Sequence, residues 1–579
     1  MDNDASRINI DIGDEETKAK LDQKLSSLTQ KSKEEEIKQK AALGGWSYIN
    51  LDGFPISQEA LKIISHENAE ALQMICFLYT GEEMRLASVD PENPQIANLV
   101  KELAEKYHSR VKTYLISPAS FEKAIKLYDK IPNIEQFEGF SIAEEDLKKF
   151  DQKIDGLESL KKYLQDTNLS ETITLIVAAS LKFDASDIHL ETEEKNVKVR
   201  FRIDGVLQEV ATLAQDSWQK MASRIKLLAG LKLNIDQKPQ DGRFTITLTD
   251  DKVDVRVSTI PSIYGESIVL RLLRSSRAGL EFEKLGLRGK SFNDLTSEIQ
   301  KPNGMIITTG PTGSGKTTTL YAVLNKLNTT ETKIITLEDP IEYKLPGIVQ
   351  SQVENSQEQE DEVTPTGNIR IKNTYTFAKG LRAILRQDPD IVMVGEIRDL
   401  ETAETAINAA LTGHLMLSTM HTNSAAGTIP RFLAMGVPAY LLAPSLNAII
   451  GQRLVRRLCQ KCKAETEVDN QRMTIVMNAL NTINAKSGAK VDNLANLKFY
   501  KAVGCPECND LGYKGRLGIY EIMTMSPSIE KIILSGDVSE YDIEKIAIEE
   551  GMVTMFQDGV LKAMDGLTSL EEVFDKAAE

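Results

Sequence analysis

One short run of residues restricts the possible fold more than any other feature of this 579-residue chain. Residues 310–317 read GPTGSGKT and fit the pattern G-x-x-x-x-G-K-[ST] in full. The run follows an apolar segment, MIITT (305–309), and precedes TTTLYAVLNKL (317–327), which is rich in helix-forming residues. A strand, a glycine-rich loop and a helix in this order direct backbone N–H groups toward an anion at the helix N-terminus. The sequence therefore predicts a phosphate-binding loop in an α/β fold.

The side chains of this loop predict ATP and Mg²⁺ as cofactors. Lys316 supplies a positive charge for the β and γ phosphates, and Thr317 offers a hydroxyl group to Mg²⁺. The other predicted nucleotide-binding residues are Gly310, Pro311, Thr312, Gly313, Ser314, Gly315 and Thr318.

Three further apolar segments predict buried parallel strands that end in chemically useful residues. IITLE (334–338) ends in Glu338, IVMVG (391–395) is followed by Glu396, and LMLST (415–419) is flanked by His414 and His421. Hydrolysis needs carboxylates that hold Mg²⁺ and orient water, and parallel sheets bind ligands at the carboxyl ends of their strands. The alternative is that acidic residues occur at strand ends simply because those ends are exposed to solvent.

Four of the five cysteines form two Cys-x-x-Cys pairs, which predicts a metal site. Four thiolates suit a tetrahedral Zn²⁺, and the 42 residues between the pairs leave room for a helical insertion. A redox dithiol is the alternative, but no thioredoxin-like βαβ pattern surrounds either pair. The predicted zinc ligands are Cys459, Cys462, Cys505 and Cys508.

Composition limits the partners that we expect. With 69 Lys and Arg against 85 Asp and Glu, the net charge is −16, so direct binding of nucleic acid is not expected. The N-terminal segment lacks the basic and apolar regions of a secretory signal, and no run approaches the ~18 apolar residues of a membrane span. We expect a cytoplasmic protein that reaches the membrane only through partners.

The order of the motifs resembles the type II secretion and type IV pilus assembly ATPase family. The resemblance covers about residues 165 to 579 and weakens over the first 140 residues. Seven motifs recur in the order of that family: SDIHLE (186–191), QDGRF (240–244), the phosphate loop (310–317), LEDPIEY (337–343), LRQDPDIVMVGEIRD (385–399), GHLMLSTMHTN (413–423) and GYKGRLGIYE (512–521). The sequence departs from the family's pattern at 351–368, an acidic segment that we interpret as a surface insertion.

The resemblance implies a RecA-like P-loop ATPase core preceded by a PAS-like α+β domain. It also implies a small N-terminal domain and a C-terminal zinc-binding and helical region. The implied divisions are a charged tail (1–40), an N-terminal α/β docking domain (41–135), a linker (136–166), the PAS-like domain (167–277), the RecA-like domain (278–455), a zinc module (456–515) and a helical region (516–579).

The resemblance also implies roles for single residues. Glu338 would activate water and Glu396 would lie near Mg²⁺, although the sequence alone does not decide which glutamate is the general base. His414 and His421 would sense or position the phosphates. Arg243 and Arg256 would reach the γ-phosphate of a neighbouring subunit, the alternative being that they form surface salt bridges.

The implied protein is a homo-hexameric motor that drives type IV pilus assembly through an inner-membrane platform protein. A type II secretion ATPase with the same chemistry is the first alternative, and a nucleic-acid translocase or packaging motor is the second. A third is a nucleotide-gated scaffold that binds ATP but hardly hydrolyses it. A zinc module accompanies assembly and secretion motors of the family and is typically absent from retraction motors, which favours polymerisation.

Overall fold

The computed structural model describes most of the chain. The described residues are 32–80, 83–107, 109–128, 156–165, 169–248, 251–274, 281–353, 362–363, 369–370, 375–489, 494, 497–536 and 538–577. Most of the predicted tail (1–40), of the predicted linker (136–166) and of the acidic segment at 351–368 lies outside the described residues. The chain divides into two compact units, Met1–Phe137 and Glu138–Glu579.

The first unit is a small α/β layer. A helical run at 32–44 precedes a four-stranded sheet in the order β1-β4-β3-β2, in which β2 is antiparallel to β3 and the other pairs are parallel. Its strands are β1 Ser47–Tyr48, β2 Met74–Tyr79, β3 Glu83–Ser88 and β4 Arg110–Leu115. Its helices are α1 Gln58–Leu61, α2 His66–Leu72, α3 Pro94–Tyr107 and α4 Pro118–Ile125. Fully buried side chains such as Phe77 and Met84 form its core.

The second unit begins with two helices and a six-stranded antiparallel sheet in the order β7-β6-β5-β10-β9-β8. The strands are β5 Asp187–Thr192, β6 Asn196–Ile203, β7 Val206–Ala214, β8 Gln240–Thr247, β9 Lys252–Ser262 and β10 Gly265–Arg274. Three helices share the hydrophobic core of this sheet: α5 Leu157–Gln165, α6 Leu169–Lys182 and α7 Trp218–Leu228. Alternate residues of β6, from Val197 to Ile203, are buried in the core, so the sheet is apolar on one face and polar on the other.

A seven-stranded sheet follows, in the order β13-β12-β16-β17-β11-β18-β21. Its strands are parallel except for β21, which is antiparallel to β18. In chain order this region contains β11 Gly304–Thr309, β12 Ile334–Glu338, β13 Val349–Gln352, β14 Glu362–Val363, β15 Ile369–Arg370, β16 Ile391–Val394, β17 Leu415–Met420, β18 Leu446–Leu458, β19 Ala464–Thr466, β20 Phe499–Lys501 and β21 Tyr513–Thr524. β14 with β15, and β19 with β20, form separate two-stranded ribbons.

Helices cover this sheet and complete the C-terminal region. They are α8 Gly289–Ile299, α9 Lys316–Leu327, α10 Phe377–Ile384, α11 Leu400–Leu411, α12 Thr428–Ala434, α13 Ala439–Ser445, α14 Asn470–Asn481, α15 Pro527–Ser535, α16 Glu540–Glu549, α17 Met555–Met564 and α18 Leu570–Ala577. In the described ranges, no helix combines the length and the apolar character that crossing a bilayer requires.

The predicted α/β class is confirmed, and the four apolar segments read as strands form β11, β12, β16 and β17. These central strands are buried on both faces, which explains why their sequences are continuous apolar runs. One feature differs from the predicted division of the chain. The C-terminal region, expected to be helical from 516, begins inside β21, where residues 518–523 are buried and extend the large sheet.

Candidate active site

The phosphate loop lies between β11 and α9, as the sequence predicts. Gly310, Gly313 and Gly315 adopt positive φ angles of 146°, 80° and 89°, which side chains rarely tolerate. A Cβ on Gly310 would lie 2.4 Å from the backbone oxygen of Gln452, and one on Gly315 would lie 2.8 Å from the Gln452 side chain. The loop is therefore folded against β18 so closely that glycine is required.

Lys316 is buried at the start of α9. Its Nζ donates hydrogen bonds to the carbonyl oxygens of Gly310 (2.7 Å) and Pro311 (3.1 Å), so the ammonium group is held inside the loop. Burial lowers the pKa of Lys316 to about 8, although the charge of the Glu396 carboxylate acts in the opposite direction. Thr317 and Thr318 lie half-buried in the first turn of the helix.

This loop fits the triphosphate of ATP. The side-chain oxygen of Ser314 is buried and has no hydrogen-bond partner among the described residues. The loop offers a helix N-terminus, an ammonium group and an unpaired hydroxyl, which together are the donors that a phosphate chain requires. Thr317 and the nearby carboxylates could hold Mg²⁺.

Glu338, at the carboxyl end of β12, is buried and held by three donors. The Tyr321 hydroxyl donates to its Oε2, while Thr336 Oγ1 (2.6 Å) and Gln350 Nε2 (3.0 Å) donate to its Oε1. Burial and the charge of Glu338 raise the pKa of Tyr321, so the phenol remains a donor. The carboxylate thus has a set position, with one lone pair of Oε2 left to accept a proton.

Glu396 and His421 lie together at the same edge of the sheet. The two follow β16 and β17, and His421 Nε2 lies 3.6 Å from Glu396 Oε2. Arg398 contacts the other carboxylate oxygen at 2.7 Å. Burial, then the charge of Lys316, lower the pKa of His421 below its ordinary value. His421 is further tied to the loop strand, because Thr422 N donates to Thr309 Oγ1 at 2.8 Å.

These groups line one cleft of about 910 Å³ between the six-stranded and seven-stranded sheets. The predicted site residues that line it are Pro311, Thr312, Gly313, Ser314, Gly315, Lys316, Thr317, Thr318, Glu338, Glu396 and His421. Parallel strands explain this gathering, because β11, β12, β16 and β17 all end at this edge.

His414 lies at the opposite edge of the sheet. It precedes β17, its carbonyl oxygen accepts from Gly304 N (3.2 Å), and its Nδ1 lies 3.1 Å from the Ala409 oxygen. His414 and His421 are separated by the whole of β17, which at 3.3 Å per residue is about 20 Å. The structure therefore does not bring His414, which is expected to sense or position the phosphates, to the phosphate loop, since a strand has two ends and only one of them reaches the loop.

Arg243 and Arg256 are neighbours on β8 and β9, directly opposite each other. Arg256 donates from Nη2 to the carbonyl oxygen of Ile341 (2.6 Å), which belongs to the LEDPIEY segment of the same chain, and Arg243 is exposed. Within the part of the chain that the structure describes, neither arginine lines the cleft of its own subunit.

The four cysteines converge, as the sequence predicts. Their sulfur atoms all lie within 4.8 Å of one another, with Sγ–Sγ distances of 3.9 Å for Cys459–Cys505, 3.8 Å for Cys462–Cys508 and 3.7 Å for Cys505–Cys508. A tetrahedral Zn²⁺ with bonds of about 2.3 Å places its sulfur ligands about 3.8 Å apart. The donor set and its spacing therefore fit zinc.

Several groups that line the cleft or support its residues are not predicted by the sequence. Tyr321 positions Glu338, and Gln452 accepts a hydrogen bond from Thr319 of the loop helix at 2.8 Å. Asp187 and Arg271 line the cleft from the six-stranded sheet. Asp187 belongs to the SDIHLE motif, so the motif is a signal, but neither local pattern nor spacing indicates that Asp187 lines the cleft.

Comparison with known proteins agrees with this geometry. A family model described as "Type II/IV secretion system protein" matches residues 163–575. The type IV pilus assembly ATPase PilB of Myxococcus xanthus is 38% identical over 534 residues, which cover 92% of this chain and 88% of that protein. The type II secretion system ATPase E of Vibrio cholerae is 42% identical, covering 75% of this chain and 78% of its own length. PilB of Pseudomonas aeruginosa is 43% identical, and the match covers 70% of this chain and 67% of that protein. The predicted resemblance is confirmed, and the chain belongs to the type II/IV secretion system family of ATPases.

Proposed function

We propose that this protein is a cytoplasmic, homo-hexameric motor that hydrolyses ATP to drive type IV pilus assembly through an inner-membrane platform protein. The observation that carries the proposal is the convergence of Glu338, Glu396 and His421 on the Lys316 loop at one sheet edge. A loop that only bound nucleotide would not need two carboxylates in the same cleft. The pilus assignment draws support from the relative that spans 92% of the chain.

In this proposal the residues divide the work of hydrolysis. Thr317 and Glu396 would hold Mg²⁺, which would supply positive charge to neutralise the phosphates. Lys316 binds the β and γ phosphates. His421 lies beside Glu396 and keeps that carboxylate in position. Glu338 orients water and accepts its proton at Oε2, since Oε1 is already occupied by two donors. We therefore assign the general base to Glu338 rather than to Glu396, which has Arg398 and His421 around its two oxygens.

Arg243 and Arg256 act across the subunit boundary in this proposal. They lie on β9 and the sheet-edge strand β8, outside the cleft of their own chain, while an arginine fork suits the charge of a γ-phosphate in the transition state. The four cysteines bind one structural Zn²⁺, and the first unit docks on the membrane complex.

A type II secretion ATPase is the second candidate. The Vibrio cholerae relative is more similar in sequence than the Myxococcus relative, although over a shorter part of the chain. The two candidates share all the chemistry described above. They differ only in the fibre that is assembled.

Turnover of the purified chain tests the motor assignment. Lys316→Ala is expected to weaken MgATP binding, because the phosphates lose their counter-charge. Glu338→Gln and Glu396→Gln should each bind MgATP and lose ~10²-fold or more in turnover, the scale for losing a positioned catalytic group. Wild-type turnover in both glutamine variants would overturn the assignment, and stimulation by single-stranded DNA would favour a translocase.

Deletion of the gene in the source organism separates the two fibres. We expect loss of surface pili with normal protein secretion. Loss of secretion with normal pili would instead identify the secretion ATPase. The Glu396→Gln variant should fail to restore either phenotype, and the wild-type gene is the control.

A further inference from the structure

Five consecutive strands of the six-stranded sheet each contribute one charged residue to a single row. The backbone register pairs Arg243 with Arg256, Arg256 with Arg271, Arg271 with Asp187, and Asp187 with Arg202. Directly paired residues of antiparallel strands project from the same face. The row therefore lies on one face of the sheet, and its two ends belong to β8 and β6.

Such a row is unfavourable for the sheet by itself. Three arginines stand directly opposite one another on β8, β9 and β10, and like charges in directly opposed positions destabilise a sheet. The core face of the same strands is filled with apolar side chains, so the row is not part of the packing. An anion bound along the row would offset the repulsion.

Asp187 divides the row and contacts the arginine on each side of it, Arg271 and Arg202. Its side chain is only 7% exposed, and it accepts from Arg271 Nε at 2.9 Å and from Ser186 Oγ at 2.7 Å. Arg202 Nε lies 3.5 Å from Oδ2, the oxygen that also accepts from Ser186, whereas Arg271 binds Oδ1. A bond through Nε leaves the outer nitrogens of Arg271 for another acceptor, and 61% of that side chain is exposed.

The part of the row on β10, β5 and β6 belongs to the cleft that contains the phosphate loop of the same chain. Asp187, Arg202 and Arg271 line the same cleft as Lys316 and Glu396. Two hydrogen bonds join the six-stranded sheet region to the part of the chain that carries the phosphate loop. Gly515 N donates to Asp204 Oδ2 (2.8 Å), and Arg256 donates to the Ile341 carbonyl oxygen (2.6 Å). Arg243 and Arg256, by contrast, lie outside this cleft among the described residues.

We propose that Arg271, positioned by Asp187, binds the polyphosphate of the nucleotide in its own subunit. The row would thus serve two sites: Arg271 the nucleotide of its own chain, and Arg243 with Arg256 the nucleotide of a neighbour. This inference rests on the proposed ATPase function and extends it. Asp187 is a positioning residue, because it acts through Arg271 rather than on the nucleotide.

Affinity measurements on the full-length chain give the first test. Arg271→Ala should bind MgATP about 10-fold or more weakly, the scale for losing a hydrogen bond to a charged group, whereas Arg256→Ala should bind normally and turn over slowly. Arg271→Lys should recover part of the affinity, because the charge is retained without the fork. Asp187→Asn should also raise the dissociation constant for MgATP, as Arg271→Ala does. In a variant that is folded, the loss of a purely structural residue would not have this effect.

Arg200→Ala is the matched control. Arg200 lies on the same strand as Arg202, is paired with Glu191, and does not line the cleft within the described residues. Its MgATP affinity should equal that of the wild type. Wild-type affinity in Arg271→Ala as well would overturn the proposal.

Mixing of subunits gives the second test and separates this proposal from the proposed function. Arg256→Ala mixed with Lys316→Ala should regain activity, because an intact arginine meets an intact loop at some interfaces. Arg271→Ala mixed with Lys316→Ala should not, because no subunit then holds both groups. Recovery in the Arg271 mixture, with subunit exchange confirmed, would overturn action within one chain. Failure of the Arg256 mixture would instead reject the shared site of the proposed function, and MgATP affinity would still decide the role of Arg271.

Discussion

Tyr321, on the helix that follows the phosphate loop, donates its hydroxyl hydrogen to Oε2 of Glu338 at the end of β12. The helix that begins at Lys316 therefore also positions Glu338, the carboxylate that we propose as the general base. A change in the position of α9 is transmitted to both groups. The binding and the catalytic parts of the site are thus linked through one side chain.

We expect Tyr321→Phe to reduce turnover by about 10-fold or more while MgATP affinity stays close to wild type. The variant removes a hydrogen bond to a charged group, worth about 1.5–3 kcal/mol, and leaves the ring packed in the core. Steady-state kinetics and nucleotide titration measure the two quantities. Tyr440→Phe is the control, since Tyr440 is 68% exposed. An unchanged turnover number in Tyr321→Phe would show that this hydrogen bond is dispensable.

Gly310→Ala should abolish MgATP binding. The added Cβ would lie 2.4 Å from the Gln452 backbone oxygen, so either the loop or β18 must move. Gly413→Ala is a matched control, because Gly413 also has a positive φ of 113° but a Cβ there meets nothing within 4 Å, at the sheet edge away from the loop. Fluorescent-nucleotide titration should find binding in the second variant only. Equal binding in both would contradict the tight packing of the loop on β18.

Asp187→Asn should lower thermal stability at neutral pH, and the loss should shrink in acid. Burial by itself raises the pKa of Asp187, but hydrogen bonds from Arg271 and Ser186 and the nearby positive charges outweigh it, so the pKa lies below its usual value. Because the pKa of Asp187 is lower in the folded chain than in the unfolded chain, the ionised carboxylate stabilises the fold above about pH 4, the pKa of an aspartate in the unfolded chain. This stability is lost as the pH falls through the pKa of Asp187 in the folded chain.

We expect Asp187→Asn to lower the free energy of unfolding by about 1–2 kcal/mol at pH 7. This is less than for a fully buried ion pair, because Arg271 is largely exposed. Thermal unfolding of both proteins at pH 7, 5 and 3.5 measures the difference. Asp236→Asn, a change at an exposed position, should have no effect at any of these pH values. A difference that stays constant down to pH 3.5 would argue against an ion-pair origin.

The chain should purify with one zinc ion without added metal. Cys508→Ser should lose the metal, lower the thermal stability of the C-terminal region and expose residues 456–515 to protease, because closed zinc sites hold small modules together. MgATP affinity should change little, since none of the four cysteines lines the nucleotide cleft in the described part of the chain. Cys76→Ser is the control, as Cys76 belongs to the other unit and should leave the metal content unchanged. A metal-free preparation with full stability would contradict a structural zinc site.

The parts of the site that sequence predicted well are those whose chemistry is local. The loop at 310–317 requires glycines at three positions with positive φ, and a Cys-x-x-Cys pair brings two thiols together within one turn. Glu338 and Glu396 were predicted because parallel strands end at a common edge, so that a position just after an apolar run is enough to place them.

The parts that sequence could not decide depend on which strands are neighbours and which end of a strand faces the loop. His414 and His421 flank the same strand and looked equivalent, yet only His421 reaches the site. Tyr321 and Glu338 are 17 residues apart with no pattern that joins them, and Arg271 and Asp187 meet across 84 residues.

By itself, then, the sequence determined the α/β class, the phosphate loop, the two carboxylates and the cysteine cluster, because each follows from residues close together in the chain. Tertiary structure alone decided that Asp187 pairs with Arg271 in the cleft, that Tyr321 holds Glu338, and that β21 returns to the large sheet. The physical reason is that strand order and register set these contacts. Order and register depend on the packing of whole sheets, which no single segment of the chain encodes.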